Sequence, residues 1–151
     1  MKKRMVKSPK IYVRDSGLLH TFLGIENQND LLGHPVYGAS WEGFVVENVL
    51  SLFPDWNAFF YRTASGSEID LILEKGKRRV AVECKVSTSP NLGRGSWNAV
   101  EDLKLQDVWV IAPVRESYPA GKGATVAPLN VFIDHLGAME NRRMARHPRP
   151  A

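Results

Sequence analysis

Apolar residues recur along the chain with periods that change from one polar break to the next. Ile11-Tyr12-Val13 reads as a short β-like segment. Asp15 or Ser16 then offers an N-cap for a brief helix through Leu18, Leu19 and Phe22. Residues 27–38, rich in Asn, Asp, Gly and Pro, read as loop. Residues 39–53 predict the main helix, with Ser40 as its N-cap and Pro54 as its stop. Strand-like segments follow at 58–63, 68–74 and 80–86, parted by the turn signals Ser65-Gly66 and Lys75-Gly76. Residues 87–96 read as loop, 97–105 as helix, 108–112 as a buried strand and 113–123 as a Gly/Pro-rich loop. Residues 131–139 fit a last short strand or helix, and the polar tail from Glu140 is expected to be disordered. The order is α, β, β, β, α, β behind an N-terminal extension, which places the chain in the α/β class.

Length and composition narrow this. The chain has 151 residues, enough for one domain with a real core. No apolar run approaches the roughly 20 residues that span a bilayer, and no apolar signal core follows the basic start. A single cysteine, Cys84, excludes an internal disulfide framework and fits a reducing, cytoplasmic setting. The net charge of +4 is unevenly spread. Residues 1–10 carry five basic side chains and 141–151 carry four, with no acid in either. Residues 11–140 hold 11 basic and 16 acidic side chains, a net of −5. The basicity is therefore a property of the two ends, read either as solvated tails or as arms for a polyanion.

The acids carry the candidate chemistry. Advancing about 100° per residue, Glu42 falls near the middle of the apolar arc of the main helix, while Glu47 falls on its polar side. A core-facing carboxylate needs a partner. An arginine such as Arg62 would serve, or solvent at the helix end. In the strand at 68–74, Glu68 and Asp70 share one face and Ile69, Leu71 and Leu73 the other. In the strand at 80–86, Glu83 and Lys85 lie with Ala81 on one face, and Val80, Val82, Cys84 and Val86 on the other. A hairpin through residues 75–79 puts both charged faces on the same side of the sheet. That face is either open to solvent, where charges cost little, or a cluster whose mutual repulsion a cation would offset.

Asp70, followed by Glu83-Cys84-Lys85 on the next strand and preceded by a helix carrying Glu42, resembles the PD-(D/E)XK nuclease-like superfamily over roughly residues 39–112. The proline of that motif is replaced by Ile69. Longer stretches are similar to an uncharacterised domain found C-terminal to the ATPase module of predicted prokaryotic AAA+ ATPases. They are Lys7-Ser-Pro-Lys-Ile-Tyr-Val-Arg-Asp-Ser-Gly-Leu-Leu-His20, Gly38-Ala-Ser-Trp-Glu-Gly-Phe-Val-Val-Glu-Asn48, Tyr61-Arg-Thr-Ala-Ser-Gly-Ser-Glu-Ile-Asp70 and Val82-Glu-Cys-Lys85. No phosphate-cradling Gly-x-x-x-x-Gly-Lys-Ser/Thr run is present; the nearest spacing, Gly33 to Gly38, is followed by Ala39.

The resemblances imply a restriction-endonuclease-like αβββαβ core with a mixed central sheet flanked by helices. They divide the chain into an extension at 1–38 leading from a missing ATPase module, a nuclease-like domain at 39–135 and a basic disordered tail at 136–151. They imply Asp70, Glu83 and Glu42 as ligands of Mg²⁺ or Mn²⁺, with Lys85 beside the metal-bound water, and DNA as substrate. Glu47 substitutes for Glu42 if the helix register differs. Glu68 is an outer acid, and Arg62 and Arg94 are candidate phosphate contacts. The other implied outcome is an idle nuclease-like fold that serves the ATPase as an interaction or regulatory module.

Overall fold

The computed structural model describes residues 4–6 and 8–146. In chain order it contains α1 (Ser16–Phe22), α2 (Gln28–Gly33), α3 (Tyr37–Leu52), β1 (Asn57–Arg62), β2 (Glu68–Lys75), β3 (Arg78–Cys84), α4 (Arg94–Leu103), β4 (Asp107–Ile111), β5 (Tyr118–Pro119), β6 (Ala124–Ala127) and α5 (Leu129–Arg146). The strands form one mixed six-stranded sheet in the order β1-β2-β3-β4-β6-β5. β2 runs antiparallel to both β1 and β3, β4 runs parallel to β3, β6 runs parallel to β4, and β5 closes the far edge antiparallel to β6. The parallel step from β3 to β4 needs a crossover, and α4 supplies it.

Each face of the sheet buries its own core. Val45 and Val49 of α3 and Phe132 and Leu136 of α5 pack on Leu71, Leu73, Val80, Val82 and Ile111. Ala99 and Val100 of α4 pack on Ile72, Ala81, Val108, Val110 and Val126 on the other side. Each fully buried Val, Leu or Phe contributes about 1.5–3 kcal/mol, so three layers are what this pattern of apolar faces dictates.

Several expectations change. The segment at Ile11-Tyr12-Val13 forms no strand, and Ile11 is almost fully exposed. Residues 27–38 are not all loop. Asn27 caps α2 by accepting from the Asp30 N–H at 3.1 Å, and α3 begins within the same stretch. Ser40 is not the cap of α3. It is buried one turn in, 2.7 Å from His20 Nε2, and the helix starts at Tyr37 without a side-chain cap. The α4 helix starts at Arg94, three residues before its expected start. The loop at 113–123 contains β5, and β6 was not expected. Residues 131–139 are helical, and α5 runs on through Arg146 where a disordered tail was expected. The last part of that tail, residues 147–151, lies outside the described residues, as do Lys2, Lys3 and Lys7.

One irregularity bears on function. Phe59 pairs with Ile72 but Tyr61 pairs with Ile69, so one residue of β1 faces two of β2, Asp70 and Leu71. Such a bulge breaks the two-residue alternation and re-aims a side chain. Ile69 accordingly packs with Ile72 in the α4-side core, not with Leu71 and Leu73.

Candidate active site

The bulge sits at one end of an open cleft of about 480 Å³. Its walls come from α3 (Gly38, Glu42), the β1–β2 turn (Gly66), β2 (Glu68, Asp70), β3 and the residues after it (Glu83 to Val86), and the first turn of α4 (Gly95, Ser96). The turn is held by Ser67 N–H donating to Thr63 Oγ1 at 3.0 Å and Thr63 N–H donating to the Ser67 carbonyl at 2.9 Å. Gly66 there adopts φ +83°, a conformation glycine takes without strain. Gly95 is required by space: a Cβ on it would stand 2.3 Å from the Gly66 carbonyl oxygen.

Five of the predicted residues, Glu42, Glu68, Asp70, Glu83 and Lys85, meet at this cleft. Asp70 Oδ2 accepts the Cys84 backbone N–H at 2.9 Å, which ties the bulge of β2 to the end of β3. Glu83 Oε1 accepts from Lys85 Nζ at 2.7 Å and from Ser96 Oγ at 3.1 Å. Glu83 is only 5 % exposed, and its Oε2 is buried with no hydrogen-bond partner among the described residues. Burial first, and the charge of Asp70 second, push the Glu83 carboxyl above the usual carboxylate range, against the opposing pull of Lys85 and Ser96. For Lys85, burial is the largest influence and would lower the ammonium pKa, but its bond to Glu83 and the charges of Glu83 and Asp70 together outweigh it and raise the pKa. The charged face of β3 is thus a walled cluster and not an open sheet face.

Glu42 reaches the cleft from α3, but its partner is not Arg62. It accepts from Tyr12 Oη at 2.6 Å and from Lys10 Nζ at 2.9 Å. Lys10 is the residue that sequence reasoning missed. Its ammonium also lies 2.8 Å from Asp70 Oδ1 and 3.2 Å from Glu68 Oε1, so it bridges three acids. Burial would lower its pKa, but the bonds to Asp70 and Glu42 raise it well above the ordinary lysine value. Tyr12 is raised too, by burial and then by Glu42. Arg62 pairs loosely with Glu68, at 3.5 Å. Glu47 does not reach the cleft; Arg14 and Ser51 hold it at the surface. Arg94 is exposed at the start of α4 and does not line the cleft. The one sequence cue to Lys10 is its place in the Pro-Lys-Ile-Tyr-Val-Arg-Asp run. Its neighbours Tyr12 and Arg14 also take partners on α3.

Among the described residues, no three His, Cys, Asp or Glu side chains stand close enough together to hold a metal ion as placed. The reason is visible. Glu42, Glu68 and Asp70 converge on Lys10 Nζ at ammonium contact distances near 3 Å, where Mg²⁺ takes oxygens at about 2.0–2.1 Å. The donor set nevertheless suits a hard divalent cation. It consists of carboxylate oxygens, one of them the orphaned Glu83 Oε2.

The model of a domain of unknown function, DUF4143, matches residues 37–132, which is more than half of the chain. The chain belongs to the DUF4143 family. The matched span of this DUF4143 chain contains Glu42, Asp70, Glu83 and Lys85, while Lys10 lies before it. The chain is also 36 % identical over 131 residues to the uncharacterized protein Rv2008c of Mycobacterium tuberculosis and to the uncharacterized protein Mb2031c of Mycobacterium bovis. The match covers 87 % of this chain but spans only 30 % of the length of each of those relatives. No solved structure matches. Among the described residues, no helix is long and apolar enough to cross a membrane.

Proposed function

We propose that this DUF4143 chain is a restriction-endonuclease-like domain that hydrolyses DNA phosphodiesters with a divalent cation, beside an ATPase module of a longer protein. The observation that carries the reading is the buried, unpartnered Glu83 Oε2 next to Asp70, in a cleft that Glu42 and Lys85 also line. The succession α3-β1-β2-β3-α4-β4 agrees with the αβββαβ order of such cores. Asp70 and Glu83 would hold Mg²⁺ or Mn²⁺, with Glu42 joining directly or through water. Such an ion activates water and offsets the charge that develops on phosphorus and the leaving oxygen. The chain's own residues do the positioning. The Cys84 N–H fixes Asp70, Ser96 fixes Glu83, and the Lys85 ammonium stands at the cleft wall as a partner for a phosphate oxygen. α4 starts at the cleft without a side-chain cap, so its first amides add donors that favour an anion.

One observation favours a second reading, an idle fold that serves the ATPase as an interaction module. Lys10 already compensates Glu42, Glu68 and Asp70, as a purely structural ion cluster would. Plasmid, single-stranded and branched DNA incubated with Mg²⁺ or Mn²⁺ separate the two. Cleavage by the wild type that is lost in both Asp70→Ala and Lys85→Ala supports hydrolysis. No cleavage of any substrate, together with no metal binding by calorimetry, supports the idle module.

A further inference from the structure

The cleft presents its carboxylates in two groups of different character. On one side Glu83 Oε2 is buried and unpartnered beside Asp70. On the other, Glu42 Oε1, Glu68 Oε1 and Asp70 Oδ1 surround a single point at 2.9, 3.2 and 2.8 Å, and a lysine ammonium occupies it. Three carboxylates around one point repel each other strongly unless a cation sits between them. Here that cation is part of the chain. It arrives on a segment secured on both sides: Met5 bridges Thr63 beside β1, and Tyr12 and Arg14 bind Glu42 and Glu47 of α3. The Lys10 side chain is 16 % exposed, so its ammonium is not a solvated tail charge.

We infer that Lys10 is a built-in cation. Its ammonium fills one of the two cation positions, so the cleft takes a single divalent ion on the Asp70–Glu83 side. Replacing Lys10 by an apolar side chain opens a second divalent site on Glu42, Glu68 and Asp70. The inference rests on the metal reading of the cleft for the first ion only; the second position is defined by Lys10 itself. Asp70 contributes to both positions, as each carboxylate oxygen has two lone pairs. Filling the opened site requires the three oxygens to close from about 3 Å to the 2.0–2.1 Å that Mg²⁺ demands. Glutamate side chains reach this by rotamer adjustment.

The test counts Mn²⁺ bound per chain, by calorimetry and by the electron paramagnetic resonance of free Mn²⁺, in the wild type, Lys10→Met and Lys10→Arg. The expected result is one ion for the wild type and for Lys10→Arg, and two for Lys10→Met. Lys10→Met should also melt lower than the wild type without metal and regain more than the wild type does when Mn²⁺ is added. The double variant Lys10→Met/Glu68→Gln removes one repelling charge. It keeps the experiment readable if Lys10→Met folds poorly, and it still binds the extra ion through Glu42 and Asp70. One ion of unchanged affinity in the wild type and in both Met variants overturns the inference and leaves the hydrolase reading standing. No ion in the wild type but one in the Met variants overturns the metal reading of the Asp70–Glu83 side, and with it the single native ion, and upholds only Lys10 as the cation of its own position. No ion in any variant overturns both.

Discussion

Gly95 links the packing of α4 to the chemistry of the cleft, and its replacement has a computable cost. A Cβ at Gly95 would lie 2.3 Å from the Gly66 carbonyl oxygen, whereas Cβ contacts essentially never fall below 3.0 Å. The obstacle is backbone, in a turn held by the Thr63–Ser67 hydrogen bonds. In Gly95→Ala, α4 or the turn must therefore move by at least about 0.7 Å. Overpacking of this kind costs about 1–3 kcal/mol. The same movement stretches the 3.1 Å bond from Ser96 to Glu83 out of range, and a lost bond to a charged group costs about 1.5–3 kcal/mol. The two losses share one displacement and overlap, so the expected total is about 2–4 kcal/mol, or a fall in Tm of roughly 5–15 °C for a domain of this size. Thermal unfolding followed by circular dichroism measures it. Gly93→Ala is the control: no atom lies within 4 Å of its Cβ and its φ is −69°, so it should lose no more than about 1 kcal/mol, the cost of Ala for Gly at the N-cap of α4. Equal melting of the two variants would refute the argument that α4 is seated against the turn through Gly95.

Three further outcomes are expected. Loss of solvent around the half-buried Cys84, and then the charges of Asp70, Glu42 and Glu83, push its thiol well up, so iodoacetamide at pH 8 should label it slowly in the folded chain and rapidly in guanidinium; labelling at the rate of a free thiol would contradict that shift. Arg14, helped by Ser51, holds the Glu47 carboxyl below the usual carboxylate range, so this small surface contribution is present above the unfolded pKa and disappears as pH falls through the lower folded value. Glu47→Gln should therefore flatten the acid limb of the stability profile slightly and leave metal binding unchanged, and loss of metal binding would return Glu47 to the site. Phe132 is fully buried, with its ring 5.4 Å from that of Trp109, so Phe132→Ala should cost about 3–5 kcal/mol in urea unfolding; a loss below 1 kcal/mol would mean that α5 is not part of the core.

Much of the sheet could be read from the chain because its strands alternate and its turns are marked. The pairing of Leu71 with Val82 and Ile72 with Ala81 follows from the apolar faces and the Lys75-Gly76 turn. Helix boundaries were less legible. Nothing local marks the start of α3, where Val36 gives no side-chain cap, and Ser40, which has the right chemistry for a cap, spends it on His20. The strand β6 is only four residues long, and its small apolar side chains carry a weak pattern. Within the cleft, the meeting of Asp70, Glu83 and Lys85 was legible because two adjacent strands carry them. The bulge that separates Asp70 from its alternation was not, because it depends on pairing with β1. Lys10 lies 60 residues from Asp70, and no local pattern links a lysine in a basic N-terminal stretch to a distant carboxylate. The division of charge was informative in an unexpected way: one of the five basic residues of the N-terminal stretch works inside the acidic part of the chain.

The most direct test of a cation-dependent cleft is the anomalous scattering of Mn²⁺ in crystals of this chain grown or soaked with the ion. The account predicts one peak at about 2.0–2.3 Å from carboxylate oxygens of Asp70 and Glu83, with Glu83 Oε2 among its ligands and Lys10 still on Glu42. A cleft with no peak at millimolar Mn²⁺, and Glu83 Oε2 still without a partner, would contradict it.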